Sequence, residues 1–345
     1  MNITILGSGR WASTMAWLCT KKNHSIVVWE RIFEGKQESE FYRTKRNEYV
    51  DLIDADISFT HDLARALSFG EYIIVSILSQ NVNDLMQDIK RIPDYENRKY
   101  ILAMKGVEQN TGRTLSEVLL DNGVKKQNIC VIAGPGHPQS IVKGKNTHMV
   151  VAGYNSNYIN EAVNTLSNSN YKLYPMHDVK GVEICGAAKN VYGGLGGICV
   201  GSQNDTLRGS LMCASLAEME KYLEAMQCIP KTARCLPLLG DYDATMYDMN
   251  SHNLNYGIEL VRQNTNNPTL PFVSIEGKQA VSGLIKRMKR YNSQVSDTMQ
   301  LRAYLLETYK DIIDGKIAPN CAIDAIKKAI DNVYANDDKY NSYTS

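Results

Sequence analysis

A short apolar run, Ile3 to Leu6, leads straight into Gly7-Ser8-Gly9-Arg10-Trp11-Ala12 and then into a stretch of helical periodicity that reaches about Lys22. No other feature constrains the fold as much. Strand, glycine turn and helix in that order deliver a tightly bent backbone to the positive end of a helix, where a pyrophosphate can sit. The first glycine permits the turn, the second lets the backbone approach a phosphate, and Ala12 at the third position still allows close helix packing. A bare GxGxxA is weak evidence, but Glu30 at the end of the next expected strand, Ile26 to Trp29, strengthens it. An acid there accepts hydrogen bonds from ribose hydroxyls, whereas the adjacent Arg31 can pair with a 2′-phosphate, so both NAD and NADP remain open.

Further β-rich runs follow at Tyr72 to Ile77, Tyr100 to Met104, Cys130 to Ala133, His148 to Ala152 and Lys172 to Tyr174. Several are continuously apolar, as parallel strands covered on both faces are, and the intervals leave room for crossover helices. The expected fold is α/β, an N-terminal Rossmann-like doubly wound sheet. After Val179 the pattern changes to long segments of helical period: Gly209 to Met226, Lys278 to Arg290, Ser296 to Lys310 and Ala322 to Ala335. An all-α C-terminal domain is therefore expected, with residues 1–178 as the nucleotide-binding domain and 179–345 as the helical substrate-binding and catalytic domain. Asn264 to Pro271 reads as a loop, and the polar tail from Asn336 to Ser345 as frayed.

Composition narrows the function classes. A chain of 345 residues exceeds what one core usually supports, and 43% hydrophobic with 22% charged residues is ordinary globular usage. The net charge of +1 and the brevity of the basic runs Arg43 to Arg46 and Lys286 to Arg290 argue against a nucleic-acid partner. The 8 cysteines show no CxxC pair, and the 6 histidines stand at no metal-ligand spacing, so reduced thiols and no metal are expected. No run approaches the ~20 apolar residues of a membrane span and no signal segment opens the chain, which makes a cytoplasmic location the expectation.

The second informative stretch is Asp178 to Val191. As a helix it places Val182, Cys185 and Lys189 on one stripe among small residues. A lysine on such a face is either snorkelling to the surface or desolvated enough to exchange a proton near neutral pH.

With these segments side by side, the chain resembles the NAD(P)-dependent glycerol-3-phosphate dehydrogenases. The resemblance is carried by Gly7 to Ala12, Ile77-Leu78-Ser79-Gln80, Lys105-Gly106, Gly134-Pro135-Gly136-His137-Pro138, Gly181 to Val191, Leu216-Ala217-Glu218-Met219, Gly240-Asp241, Ser251-His252-Asn253 and Glu276-Gly277. It implies reversible reduction of dihydroxyacetone phosphate by NAD(P)H. It makes Lys189 the proton donor to the ketone oxygen, Lys105 the group that polarises that oxygen, and Asp241 the partner of the lysine. It places Gly7, Ser8, Gly9, Arg10, Trp11, Glu30, Arg31, Ser79 and Glu276 at the cofactor, with Glu276 toward the nicotinamide. Lys105, Gly134, Gly136, Ser251, His252 and Asn253 fall at the substrate, a phosphorylated ketone or alcohol. A homodimer feeding glycerophospholipid synthesis is the expected setting.

Three departures fall on the substrate side. The family's Ser-Arg-Asn reads Ser251-His252-Asn253, its Gly-Pro-Ser loop reads Gly134-Pro135-Gly136, and its Thr-Arg-Gly reads Cys213-Ala214-Ser215. Imidazole is at best a partial substitute for a bidentate guanidinium. Either His252, His137, Lys143 or Lys145 takes over the anion, or the substrate is a different hydroxy or keto compound. A non-catalytic NAD(P) sensor is the third alternative, opposed by the two lysines.

Overall fold

The structure, a computed structural model, describes residues 1–248, 251–271 and 275–336. It divides into two compact units: Met1–Lys105 with Leu115–Val179, and Gly106–Thr114 with Lys180–Ser345.

The first unit is an eight-stranded sheet in the order β3-β2-β1-β4-β5-β6-β7-β8. Its elements in chain order are β1 (Asn2–Leu6), α1 (Arg10–Thr20), β2 (Ser25–Trp29), α2 (Glu40–Thr44), β3 (Ile57–Thr60), α3 (Leu63–Phe69), β4 (Tyr72–Val75), α4 (Val82–Ile89), β5 (Lys99–Leu102), α5 (Leu115–Asp121), β6 (Ile129–Ala133), α6 (Pro138–Val142), β7 (Thr147–Gly153), α7 (Ser156–Leu166) and β8 (Tyr171–Met176). All neighbours are parallel except β6 and β7. The central registers pair Ile5 with Val28 on one side and with Ile74 on the other, and all three side chains are buried. Helices on both faces explain why these strands are apolar at successive positions rather than alternating.

β1 lies between β2 and β4, so the chain leaves it in one direction toward β2 and β3 and later resumes on its other side. At such a reversal the loops after adjacent strands diverge and open a crevice at the carboxyl edge. The glycine turn follows β1 there, and Ser76 to Ser79 follow β4. One strand, β3, was not expected from the pattern. It is a short edge strand with Ser58 and Thr60 interrupting its apolar positions, and only pairing with β2 makes it regular.

The second unit is helical: α8 (Val179–Gly201), α9 (Leu207–Ala225), α10 (Asp241–Tyr247), α11 (His252–Arg262), α12 (Glu276–Asn292), α13 (Tyr304–Ile313) and α14 (Ala322–Ala335). α8 is apolar on nearly every side and is surrounded by the others. Its glycines let α11 touch it backbone to backbone: a Cβ on Gly197 would lie 2.0 Å from the Leu254 carbonyl oxygen, and one on Gly257 would lie 2.1 Å from that of Gly194. Any side chain at either position would drive the helices apart.

Two expectations need correction. The helix expected from Ser296 begins only at Tyr304; Asp297–Met299 form a separate 3-10 turn, because the first amides of α13 are received by the Glu218 carboxylate from α9. A single cut after residue 178 also misplaces residues 106–114, which group with the helical unit. Val107 is fully buried in the helical core, Arg287 Nη1 donates to the Gly112 carbonyl at 2.9 Å, and Gly283 lacks the Cβ that would strike the Glu108 carbonyl. The loop expected at Asn264 to Pro271 contains no helix or strand beyond residue 262. Of the tail expected to fray, only Asn336 is among the described residues.

Candidate active site

In the first unit the turn after β1 is held by the ends of β2 and β4, through Glu30 and Trp29 on one side and Ser76 on the other. Gly7 has φ +120°, and a Cβ there would lie 2.2 Å from the Ser76 carbonyl oxygen, so only glycine fits. Its N–H donates to the Trp29 carbonyl at 2.8 Å, which locks the turn against β2. Gly9 differs. It occupies the N-cap of α1 in extended backbone, no side chain caps the helix, its first turn holds no acid, and a Cβ on it would meet nothing within 4 Å. The N-terminal amides of α1 therefore face an open approach. A pyrophosphate fits that arrangement on both geometry and charge.

Glu30 and Arg31 stand at the end of β2 with their polar atoms engaged. Ser8 Oγ donates to Glu30 Oε1 at 2.6 Å and the Ser39 amide donates to the same oxygen at 3.0 Å. Arg31 Nη2 donates to Asp88 Oδ2 from α4. Arg10 is exposed; its Nε donates to the Tyr49 hydroxyl and its guanidinium lies 5.5 Å from that ring's centre. Ser79 opens the short turn before α4 and its Oγ accepts from Gln80 Nε2 at 3.2 Å.

Lys105 follows β5, and its Nζ donates to the Gly134 carbonyl at 3.0 Å. Gly134, at φ +136°, lies against Met149, and a Cβ on it would approach Met149 Cα to 3.0 Å. The change from serine to Gly136 has a packing reason. A Cβ there would lie 2.7 Å from Met149 Sδ and 2.8 Å from the Trp11 ring, so the indole and thioether occupy that space. His137 precedes α6 at its N-cap, and Lys143 and Lys145 lie exposed in the turn that follows the helix.

In the second unit Lys189 sits on α8 as the expected helix requires, flanked by the buried Val182 and Cys185. Its Nζ lies 3.5 Å from Asp241 Oδ1 and donates to Thr245 Oγ1 at 3.2 Å. Asp241 and Thr245 stand one turn apart on α10, so both face the same point, and Thr245 in turn donates to the Asp241 carbonyl at 2.7 Å. The lysine side chain is 12% exposed and the aspartate 2%. An ammonium held by one carboxylate and one hydroxyl, with a path to the surface, can give up a proton and recover it.

Asn190, next to Lys189, ties this helix to two others. Asn253 Nδ2 donates to Asn190 Oδ1 at 2.9 Å, Asn190 Nδ2 donates to Glu276 Oε2 at 3.0 Å, and the Gly277 amide donates to Asn253 Oδ1 at 2.9 Å. Thus Asn253 and Glu276 meet beside the lysine helix. Ser251 is spent differently: it is the N-cap of α11 and accepts from the Leu254 amide at 3.3 Å. His252 is the first residue of that helix and half-buried. Ala214, in the place of a basic residue, is fully buried in the helical core.

Sequence reasoning missed Thr245 and Asn190. The first carried a usable signal, an i, i+4 relation to Asp241. The second was visible only as the neighbour of Lys189. Among the described residues no group of three or more His, Cys, Asp or Glu could hold a metal, and no helix is long and apolar enough to cross a membrane.

Residues 2–159 match the family model described as NAD-dependent glycerol-3-phosphate dehydrogenase N-terminus, and residues 178–324 match the model for the C-terminus of the same family. A glycerol-3-phosphate dehydrogenase, NAD(P)+, of Fusobacterium nucleatum is 27% identical over 315 residues, covering 89% of this chain and 93% of the relative. Its counterpart from Chlamydia pneumoniae is 29% identical over 262 residues, or 74% and 77% of the two chains. The crystal structure of glycerol-3-phosphate dehydrogenase from Coxiella burnetii superposes with a TM-score of 0.81 at 21% identity, covering 94% of this chain and 97% of that one, which shows a shared fold.

Proposed function

This chain belongs to the NAD-dependent glycerol-3-phosphate dehydrogenase family, and on that premise we propose that it reduces dihydroxyacetone phosphate to sn-glycerol 3-phosphate, reversibly, with NAD(P)H. The observation that carries the reading is the Lys189–Asp241–Thr245 cluster on two helices of the second unit. When bound, the reduced nicotinamide supplies the hydride for the carbonyl carbon.

The residues of this chain do the rest. Lys189 Nζ gives a proton to the ketone oxygen as the carbon–oxygen double bond becomes a single bond, and takes it back in the reverse direction. Asp241 and Thr245 hold the ammonium in place and restore its orientation after each proton exchange. Lys105, anchored on the Gly134 carbonyl, polarises the ketone oxygen. Asn190 and Asn253 keep Glu276 aimed where the resemblance places the nicotinamide. Gly7, Ser8, Gly9, Arg10 and Trp11 cradle the pyrophosphate at α1, with Ser79 beside them at the exit of β4. His252 opens α11 and takes the substrate phosphate there, while Ser251 caps that helix and Asn253 ties it to Asn190. A homodimer in the cytoplasm supplying glycerophospholipid synthesis completes the reading and is supported by family membership.

The test is oxidation of NADH or NADPH with dihydroxyacetone phosphate, followed by absorbance. Turnover that disappears in Lys189→Ala while cofactor binding persists is the expected result. Cofactor binding without turnover in the unaltered protein would overturn the reading. His252→Arg is expected to lower KM for the phosphorylated ketone; an unchanged KM would remove His252 from the phosphate site.

A further inference from the structure

His61, just beyond β3, faces two oxygens that can only accept. Its Nδ1 lies 2.9 Å from the Glu30 backbone carbonyl and its Nε2 lies 2.8 Å from Glu38 Oε1. A neutral imidazole carries one N–H, so it would set a ring lone pair against one of these oxygens; the imidazolium donates to both. The ring stacks on Tyr42 of α2, with centroids 4.2 Å apart and planes 17° apart. Its backbone is fixed independently, since the Trp29 indole donates to the His61 carbonyl at 3.0 Å and the Glu30 amide donates to the Thr60 carbonyl at 3.2 Å. The titratable groups facing the ring are Glu30 from β2, Glu38 from segment 31–39 and Tyr42 from α2. Asp62, next in the chain, is engaged at the N-cap of α3 by the Arg65 amide. Burial disfavours the charged ring, but the Glu30 carbonyl and the Glu38 carboxylate outweigh it and hold the His61 pKa above its ordinary 6.5.

Glu38 stands near the far end of segment 31–39, which joins β2 to α2. The next amide, that of Ser39, donates to the two Glu30 carboxylate oxygens at 3.0 and 3.2 Å, and the Ser39 side chain caps α2. A proton on His61 therefore fastens this segment beside the Glu30 side chain. His61 and Glu38 are 31% and 36% exposed, so the proton exchanges with solvent without unfolding. We propose that His61 is a proton-operated latch: charged, it pins segment 31–39 to the ends of β2 and β3, and neutral, it releases Glu38, so that the dinucleotide binds more weakly. A contact that needs the proton is complete below the unfolded value near 6.5 and is lost as pH rises through the raised folded value. The inference rests on the dinucleotide-site reading above and adds regulation by pH to it.

ADP-ribose lacks the nicotinamide, so its calorimetric titration at pH 6 and pH 8.5 reports this end of the site apart from Lys189. The affinity of the unaltered protein falls about threefold or more between the two. His61→Gln removes that pH dependence. Glu38→Gln removes it as well, yet keeps tight binding at pH 8.5, because the new amide donates to a neutral Nε2 while Nδ1–H still reaches the Glu30 carbonyl. A merely structural role for Glu38 would not give that rescue. In proton NMR the imidazole signal missing from His61→Gln titrates above pH 6.5 in the unaltered protein and closer to it in Glu38→Gln. Equal affinity of the unaltered protein at both pH values, a pH dependence that survives His61→Gln, or a ring that titrates at or below 6.5 overturns the proposal alone. Absence of ADP-ribose binding at either pH overturns the dinucleotide-site reading along with it. Binding that weakens with pH as described, with no turnover of dihydroxyacetone phosphate, supports the latch and sinks only the substrate reading.

Discussion

Lys189 Nζ lies 3.5 Å from Asp241 Oδ1, and the aspartate is nearly excluded from water. The two residues come from different helices, and the hydroxyl of Thr245 closes the arrangement at 3.2 Å from the same ammonium. Positioning of a proton donor through two neighbours separates their contributions from that of the donor itself. Lys189→Met should remove about 100-fold or more of kcat, the usual scale for a general acid. Asp241→Asn should lower kcat by a similar factor and Thr245→Val by about tenfold, with KM for cofactor unchanged in each. A Lys189→Met enzyme within tenfold of the unaltered rate would sink the assignment.

The two glycines of the turn predict opposite outcomes for the same substitution. Gly7→Ala puts a methyl 2.2 Å from a backbone oxygen at positive φ, so loss of roughly 3 kcal/mol of stability is expected. Gly9→Ala meets no protein atom within 4 Å, keeps an ordinary backbone conformation and should fold normally. It should still weaken dinucleotide binding by about tenfold or more, because the methyl stands where the phosphates approach. Thermal melts with and without NADH separate the two effects; a Gly9→Ala protein with normal affinity would place the pyrophosphate elsewhere.

The contact between α8 and α11 is a steric prediction. Gly257→Ala forces the helices apart and should cost about 1–3 kcal/mol, with a loss of activity because Asn253 leaves Asn190. Gly209→Ala on α9, where a Cβ meets nothing within 4 Å, should be neutral or stabilise by up to about 1 kcal/mol. Equal stability of the two variants in chemical denaturation would contradict the packing described.

Glu218 is a pH-sensitive element. Burial pushes its carboxyl up to about 8, against the opposing effect of the Leu305 amide, the Tyr192 hydroxyl and the Leu306 amide, which donate to it. A group whose folded pKa is raised binds its proton in the folded state where the unfolded chain has released it. Its contribution is therefore complete below the unfolded value near 4.5 and is lost as pH rises through about 8. Glu218→Gln should make unfolding free energy fall less between pH 5 and 8 than it does in the unaltered protein. Parallel pH profiles for the two proteins would remove Glu218 as the source.

Much of the fold was legible because its signals are local. The run Ile3 to Leu6, the Gly7-Ser8-Gly9 turn and the helix behind it are adjacent in sequence and adjacent in space, so their chemistry reads in one pass. α14, Ala322–Ala335, was legible to the residue for the same reason: its 3.6-residue pattern is uninterrupted. β3 was not, because its alternation runs over only four residues, too few to stand out from the surrounding polar sequence.

By itself the sequence determined the architecture class, most of the strands and helices and the glycine turn, and it singled out Lys189 as the candidate proton donor. Tertiary structure decided which partners those groups have. Residues 106–114 join the helical unit through contacts with Arg287 and Gly283, far along the chain. Arg31, which from sequence could serve a 2′-phosphate, is bound by Asp88 from a helix on the far side of β1. Periodicity and turn chemistry act over a few residues, whereas ion pairs and backbone contacts depend on which segments the folded sheet and helices bring together.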